Sequence, residues 1–136
     1  MVRALVGALA VAVALSAFGC GESVSGPADV TAVTWRLQSL QRADRSVVNP
    51  PAGTFTLRFA AESRLEVRAD CNGCGGTYRL SGAALSVSPV FCTRAFCPSA
   101  PFDTEYVQLV EAAATVERTE DLLILRSPAG VLRFVR

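Results

Sequence analysis

Four cysteines stand in two clusters, Cys71-Asn72-Gly73-Cys74 and Cys92-Thr93-Arg94-Ala95-Phe96-Cys97. Three chemistries fit thiols at this spacing. Two structural disulfides would staple a small domain, each contributing about 2–4 kcal/mol. Four thiolates would hold a zinc ion, and a Cys-x2-Cys paired with a Cys-x4-Cys lies near zinc-ribbon spacing. A redox-active Cys-x2-Cys would exchange disulfides, a chemistry that draws on a helix N-terminus to lower the thiol pKa. Here Gly75-Gly76 and then a strand pattern follow Cys74, so the activating helix is missing. Polar residues beside the clusters form a candidate surface site: Asp70, Asn72, Thr93 and Arg94. In it Asp70 and Arg94 could serve as a general acid–base pair. The plainer reading makes Arg94 a surface or turn ion pair and Asn72 the residue that holds its turn.

The N-terminus bears on which thiol chemistry applies. Met1-Val2-Arg3 is a short basic segment, and Ala4 to Phe18 is an apolar run of signal-peptide length, too short to span a bilayer comfortably. It ends in Leu15-Ser16-Ala17-Phe18-Gly19-Cys20, a small residue followed by Cys that is similar to a bacterial lipobox. The chemistry implied is diacylglycerol attachment to Cys20, cleavage before it, and acylation of the new amino terminus, with palmitate as a typical chain. Two or three acyl chains anchor stably where one does not. The alternative is an ordinary secretory signal with Cys20 merely nearby. Gly21 follows rather than Asp, so inner-membrane retention is not signalled. The expected location is the outer membrane, facing the periplasm.

Outside the cytoplasm cysteines pair. With Cys20 spent on lipid, an even number remains, and structural disulfides become the favoured reading. Four cysteines still allow three connectivities. Pairing within each cluster would close only tiny loops. Pairing between clusters ties β hairpins together, and the nested arrangement Cys71–Cys97 with Cys74–Cys92 is preferred.

Composition narrows the rest. The 136 residues suffice for one domain. A net charge of +1 argues against nucleic acid as a partner. The thirteen basic residues are all Arg, and there is no His. That removes Ser-His-Asp and Cys-His nucleophiles and any His-ligated metal site. It also removes the side chain that ordinarily titrates near neutral pH. An enzyme, a cofactor and a resident metal are not expected, and the chain is expected to be a monomer.

Along the chain, residues 1–19 read as a lipoprotein signal and 20–33 as the lipid-bearing Cys with a flexible tether. The tether is rich in Gly, Ser and Pro, and ten extended residues would reach roughly 30 Å from the membrane. The folded domain is expected over 34–136. Thr34 to Leu40 reads as a strand with Trp35 and Leu37 on one face. Trp35 reads as a core anchor. Gln41 to Gly53 reads as a surface loop. Phe55, Leu57 and Phe59 alternate with Thr56 and Arg58, and Arg64 to Cys71 alternates again, giving a hairpin. That parity places Leu65, Val67, Ala69 and Cys71 inward. Asn72 to Gly76 reads as a turn or bulge, because glycine permits positive φ. Thr77–Leu80, Ala84–Val87 and Val90–Thr93 are further extended pieces. After the break at Pro98–Pro101, Phe102, Tyr106, Leu109, Val110 and Ala113 form one helical stripe, with acidic residues in the first turn where the helix dipole favours them. Thr115–Glu117, Leu122–Arg126 and Val131–Arg136 read as closing strands. The fold class is therefore mainly β (α+β): a compact antiparallel, barrel-like sheet with one helix, about 102–113, packed on it.

These elements, in this order, resemble the META domain family, which includes the heat-inducible HslJ-type lipoproteins. The resemblance runs from about Thr34 to Arg136. It rests on Trp35-Arg36-Leu37, the strand Phe55 to Phe59, Asp70-Cys71-Asn72 where the family usually has Gly-Cys-Asn, and Gly76-Thr77-Tyr78. Thr93-Arg94-Ala95-Phe96-Cys97, the helix with Glu105 and Leu109, and Leu132-Arg133-Phe134 complete it. Cys71 and Cys97 fall on the family's two cysteine positions, and Cys74 and Cys92 look like an added pair, which supports the nested connectivity. The resemblance implies a barrel-like β fold with one helix and no established catalytic activity. The function it implies is a non-enzymatic envelope lipoprotein with a binding, structural or stress-related role. The partners expected are the membrane, through Cys20, and an unidentified protein or apolar ligand. A second reading, a carrier of a lipid or other apolar ligand, requires a chamber lined by Phe55, Phe59, Leu85 and Phe134 rather than a filled core.

Overall fold

Apolar side chains at every second position set the strands, and the register of their pairing closes them into a barrel. The computed structural model describes residues 30–97 and 102–136. The expected signal peptide, Cys20, most of the tether and the break at Pro98–Pro101 lie outside these residues. In chain order come β1 (Thr34–Arg42), β2 (Val47–Val48), β3 (Phe55–Phe59), β4 (Arg64–Ala69), β5 (Asn72–Ser81), β6 (Ala84–Val87) and β7 (Phe91–Cys92). Then follow α1 (Asp103–Ala112), β8 (Thr115–Arg118), β9 (Leu122–Ser127) and β10 (Gly130–Val135). Neighbours run β10-β9-β8-β6-β5-β4-β3-β1, and β1 also pairs antiparallel with β10, from Arg36↔Val135 to Arg42↔Gly130. The result is a closed eight-stranded antiparallel barrel with α1 packed on it. Closure removes the exposed strand edges that an open sheet would present. It also demands a close approach at Gly130, where a Cβ would collide with the backbone oxygen of Gln41.

The interior is packed solid. Phe55, Phe59 and Phe134 are at most 1 % exposed and Leu85 is 6 % exposed. Phe55 meets Tyr106 edge-on at 5.2 Å, and Phe59 meets Tyr78 edge-on at 4.9 Å, geometries that aromatic quadrupoles favour. The four side chains that an apolar-ligand chamber would have to expose instead fill the core. Trp35 is fully buried, and its Nε1–H donates to the Val30 carbonyl at 3.4 Å.

Of the expected helix stripe, Tyr106, Leu109, Val110 and Ala113 are buried; Phe102 is half-buried just ahead of the helix, which runs Asp103–Ala112. Arg42 at the end of β1 forks onto Glu105, with contacts of 2.6 and 2.9 Å, tying barrel to helix. Tyr106 donates its hydroxyl to the Thr56 carbonyl at 3.0 Å, and complete burial pushes its phenol pKa far up. Folded Tyr106 therefore resists ionisation while unfolded Tyr106 ionises near pH 10. The stability it lends is fully present below that value and falls as pH rises through and beyond it. Tyr106→Phe is expected to cost about 1 kcal/mol near neutral pH, for the lost hydrogen bond. The same change should flatten the loss of stability above about pH 10. Urea midpoints measured across alkaline pH would show both.

Three expectations need correction. The tether is shorter at its C-terminal end: Val30 is buried and Thr31 bridges Phe59, so residues 30–33 belong to the fold. The loop Gln41–Gly53 contains β2, whose Val47 and Val48 pair with Gln41 and Leu40. The third concerns the hairpin from β4 to β5. Ala69 pairs directly with Asn72, so the turn is only Asp70-Cys71, and Asn72–Gly76 is strand. Asp70 takes φ 56°. A two-residue hairpin loop reverses the chain without spending strand parity, so Cys71 is exposed and Asn72, not Cys71, faces inward. The β5–β6 hairpin uses the same device with glycine, Gly82 at φ 57°.

The β3–β4 turn carries more strain. Glu62 and Ser63 both have φ 58°, and Arg64 N–H donates to the Ala61 carbonyl at 3.3 Å. Two successive positive φ values define a type I′ turn, whose preferred residues are Asn-Gly. Replacing Glu62-Ser63 by Asn-Gly is expected to raise stability by about 1 kcal/mol, since a left-handed non-glycine residue costs roughly 1–2 kcal/mol. A higher urea midpoint at unchanged slope is the expected reading.

Candidate functional site

The two cysteine clusters meet, and the structure answers how. On β5 and β7, Cys74 stands directly opposite Cys92 and Gly75 opposite Phe91. Cys74 and Cys92 are joined, with Cα atoms 4.0 Å apart. The second disulfide, Cys71–Cys97, spans Cα atoms 5.6 Å apart and lies outside the first. The connectivity is therefore the nested one. Among the described residues no cluster of His, Cys, Asp or Glu is arranged to hold a metal ion.

The β5–β7 ladder ends where the Thr93 N–H donates to the Gly73 carbonyl at 3.0 Å; from Arg94 to Cys97 no strand pairing continues, and Asn72 supplies a partner. Its Oδ1 accepts the Ala95 N–H at 2.8 Å while its Nδ2 donates to the Ala95 carbonyl at 3.1 Å. The side-chain amide thus pairs with a peptide unit as a neighbouring strand would. Its second Nδ2 hydrogen points at Cys97 Sγ, 3.2 Å away. Thr93 completes the lattice: its hydroxyl donates to Asn72 Oδ1 at 3.0 Å and accepts the Gly73 N–H at 3.2 Å. Asn72 is only 6 % exposed and has both of its donor and both of its acceptor positions filled.

The four candidate polar residues therefore divide. Asn72 and Thr93 are brought together and spent on holding the loop. Asp70 is buried in the β4–β5 turn, and its carbonyl accepts from Arg68 Nε at 3.0 Å. Arg94 is exposed on the loop. The term "surface site" fits Arg94 and Thr93 but not Asp70 and Asn72.

Beside this loop lies a cleft of about 780 Å³. Its floor is Ala69 and Asn72, one wall is the 90–96 segment, and the other is the outer side of α1 at Asp103, Thr104, Val107 and Gln108. The loop is pinned at its start as well: Val90 N–H donates to Glu111 on the helix at 2.5 Å. Phe91 is 79 % exposed and Phe96 is 92 % exposed, which is unusual for residues of that size on so constrained a segment. Sequence reasoning passed over both. The available signal was the place of Phe96 near Arg94 within the span bounded by Cys92 and Cys97, with Phe91 immediately before it. In such a span the disulfides, rather than a hydrophobic anchor, hold the chain.

The family model described as META domain matches residues 28–136. The chain belongs to the META domain family. Three solved structures share this META domain's fold. A protein from Burkholderia xenovorans, solved by NMR, matches with TM-score 0.66 and 22 % identity over 79 % of this chain and 83 % of that one. A DUF4847 family protein from Bacteroides vulgatus matches with TM-score 0.58 and 15 % identity over 78 % of this chain and 93 % of that one. A further NMR structure matches with TM-score 0.59 and 20 % identity over 81 % of this chain and 93 % of that one. No curated protein matches the chain. At these identities the structural neighbours speak to the fold alone.

Proposed function

We propose that this META domain protein is exported and lipid-anchored at Cys20, and that its domain binds or supports other envelope components rather than catalysing a reaction. A structural role under envelope stress belongs to the same reading. The observation that carries it is the pair of nested disulfides, because such bridges persist in oxidising compartments and are rare in the cytosol. The lipobox-like Gly19-Cys20 then gives the fifth cysteine a use. Support for binding over catalysis comes from the site itself. Asn72 and Thr93 have their hydrogen-bonding capacity committed to the loop backbone, to Cys97 and to each other, whereas Phe91, Arg94 and Phe96 are presented outward.

The test is the intact mass of the full chain expressed in a Gram-negative bacterium and extracted from its membranes without reductant. The expected mass lacks Met1–Gly19, carries an acylated amino-terminal cysteine, and is four hydrogens light for the two bridges. The Cys20→Ser chain should lack the acyl mass. An uncleaved chain with free thiols in the cytosol would overturn the reading.

A further inference from the structure

We propose that Phe91, Arg94 and Phe96 form a contact with the membrane surface, so that the anchored domain lies against the bilayer instead of swinging free on its tether. This rests on the lipid-anchored reading above. Two large apolar side chains at 79 % and 92 % exposure flank a cation on one short segment, and no acidic residue lies between Val90 and Cys97. Aromatic rings with an adjacent Arg suit the interface, where the ring enters the headgroup–acyl boundary and the guanidinium meets anionic phosphates. Two acidic groups lie close by, and both are engaged: Glu111 accepts the Val90 N–H at 2.5 Å, and Asp103 is turned to its own helix, with Oδ1 accepting the Thr104 N–H at 2.7 Å.

Size decides between a bilayer and a protein partner. Two phenylalanines offer about 300–500 Å² of contact. A stable protein interface needs about 800 Å² per partner. A lipid-tethered domain needs far less, since the anchor already holds it at the surface and a weak second contact suffices to orient it. The chain outside the fold permits it. Nine residues lie between Cys20 and Val30, and the ten steps from one to the other reach roughly 33–36 Å when extended, which gives the domain room to turn on its anchor. The segment is also rigid before contact, clamped by both disulfides, by Asn72 and by Glu111, so little ordering entropy opposes docking.

The test uses the full chain carrying Phe96→Trp, reconstituted into vesicles of zwitterionic and anionic phospholipids with brominated acyl chains. Trp35, fully buried, gives the background in the parent chain. The introduced indole is expected to lose about half its emission to the brominated lipid, as befits a ring at the headgroup–acyl boundary, while Trp35 keeps its own. Adding Arg94→Glu should weaken that quenching in anionic vesicles and spare it in neutral ones. A vesicle-bound, acylated Phe96→Trp chain whose added emission is untouched overturns the contact and leaves the anchor reading intact. Shielding of the introduced indole that tracks protein concentration without lipid also overturns it, in favour of a second copy of the chain. Should intact mass reveal no acyl chain, the anchor reading falls. Quenching on simple addition of the vesicles then supports the contact, and its absence overturns it.

Discussion

Replacing Cys71 and Cys97 together by alanine is expected to lower stability by about 2.5 kcal/mol, and replacing Cys74 and Cys92 by nearly the same amount. Removing all four is expected to cost roughly 6 kcal/mol, more than the two separate losses combined. The reason is the nesting. The bridges span 26 and 18 residues, and chain entropy alone makes each worth about 3 kcal/mol if it acted by itself. Once either is closed, the other only has to close a much shorter path, so each partly covers for the loss of the other. Urea unfolding of the three variants and the parent, with slopes compared, measures this directly. Strictly additive losses would show that the loops do not share their entropy and would count against nesting. A domain of ordinary stability, about 5–15 kcal/mol, survives either loss and is brought near its limit by both.

The second large effect is expected at Asn72. Asn72→Ala removes the side chain that pairs with Ala95, but Ala95 is exposed and water can reach its peptide groups, so about 1–2 kcal/mol is expected. Asn72→Asp is nearly isosteric and should be worse at neutral pH, about 3–5 kcal/mol. It loses both donors and sets a carboxylate against the Ala95 carbonyl and the Cys97 sulfur. Those neighbours disfavour the anion, so the folded-state pKa of the new carboxyl lies above its unfolded value. Its stabilising, protonated form is then fully present below the unfolded pKa of about 3.9 and is lost as pH rises through the folded value. The deficit of Asn72→Asp relative to the parent should therefore shrink on acidification, while that of Asn72→Ala stays flat. Urea midpoints at about pH 4 and pH 7 separate the two. A deficit independent of pH for both would mean that the amide's donors do not matter.

Where the sequence was legible and where it was not follows from these same residues. Phe55, Leu57 and Phe59, and Leu65, Val67 and Ala69, could be placed inward because period-two alternation is enforced by the pleat. The helix was equally readable from the stripe ending in Val110 and Ala113. Parity then failed at Asp70. Alternation can be counted along a strand but not through a turn whose length is unknown, and the positive φ at Asp70 belongs to a position usually given to glycine. The glycines misled in the opposite direction. Gly73, Gly75 and Gly76 suggested a turn, yet among the described glycines only Gly53 and Gly82 have positive φ. Gly76 serves instead to let another backbone come close: a Cβ there would sit 3.3 Å from the Pro89 carbonyl, the Ser88 hydroxyl and Val90. Which of its two uses a glycine serves depends on what packs beside it, and that is a tertiary fact. The candidate site was half legible for a similar reason. Residue types near the cysteines pointed to Asn72 and Thr93, but only the folded register shows an amide acting as a strand. For Phe96 the one mark in the sequence is the cysteine-bounded span around it.

The amide of Asn72 also sets how the molecule ages. It precedes Gly73, and in an Asn-Gly pair the unhindered glycine nitrogen readily attacks the side-chain amide, closing a ring and expelling ammonia. Opening of the ring by water leaves an aspartate or its β-linked isomer. In the cross-linked fold neither reactant is free to move: the amide is held by Ala95, and the Gly73 N–H is engaged by Thr93. Folding thus acts as the preservative for a bond the chain would otherwise lose with time. A molecule that lingers unfolded acquires a carboxylate where an amide is required, and it returns to a weakened structure that opens more readily again. The clock runs only in open molecules, and every tick makes closing harder.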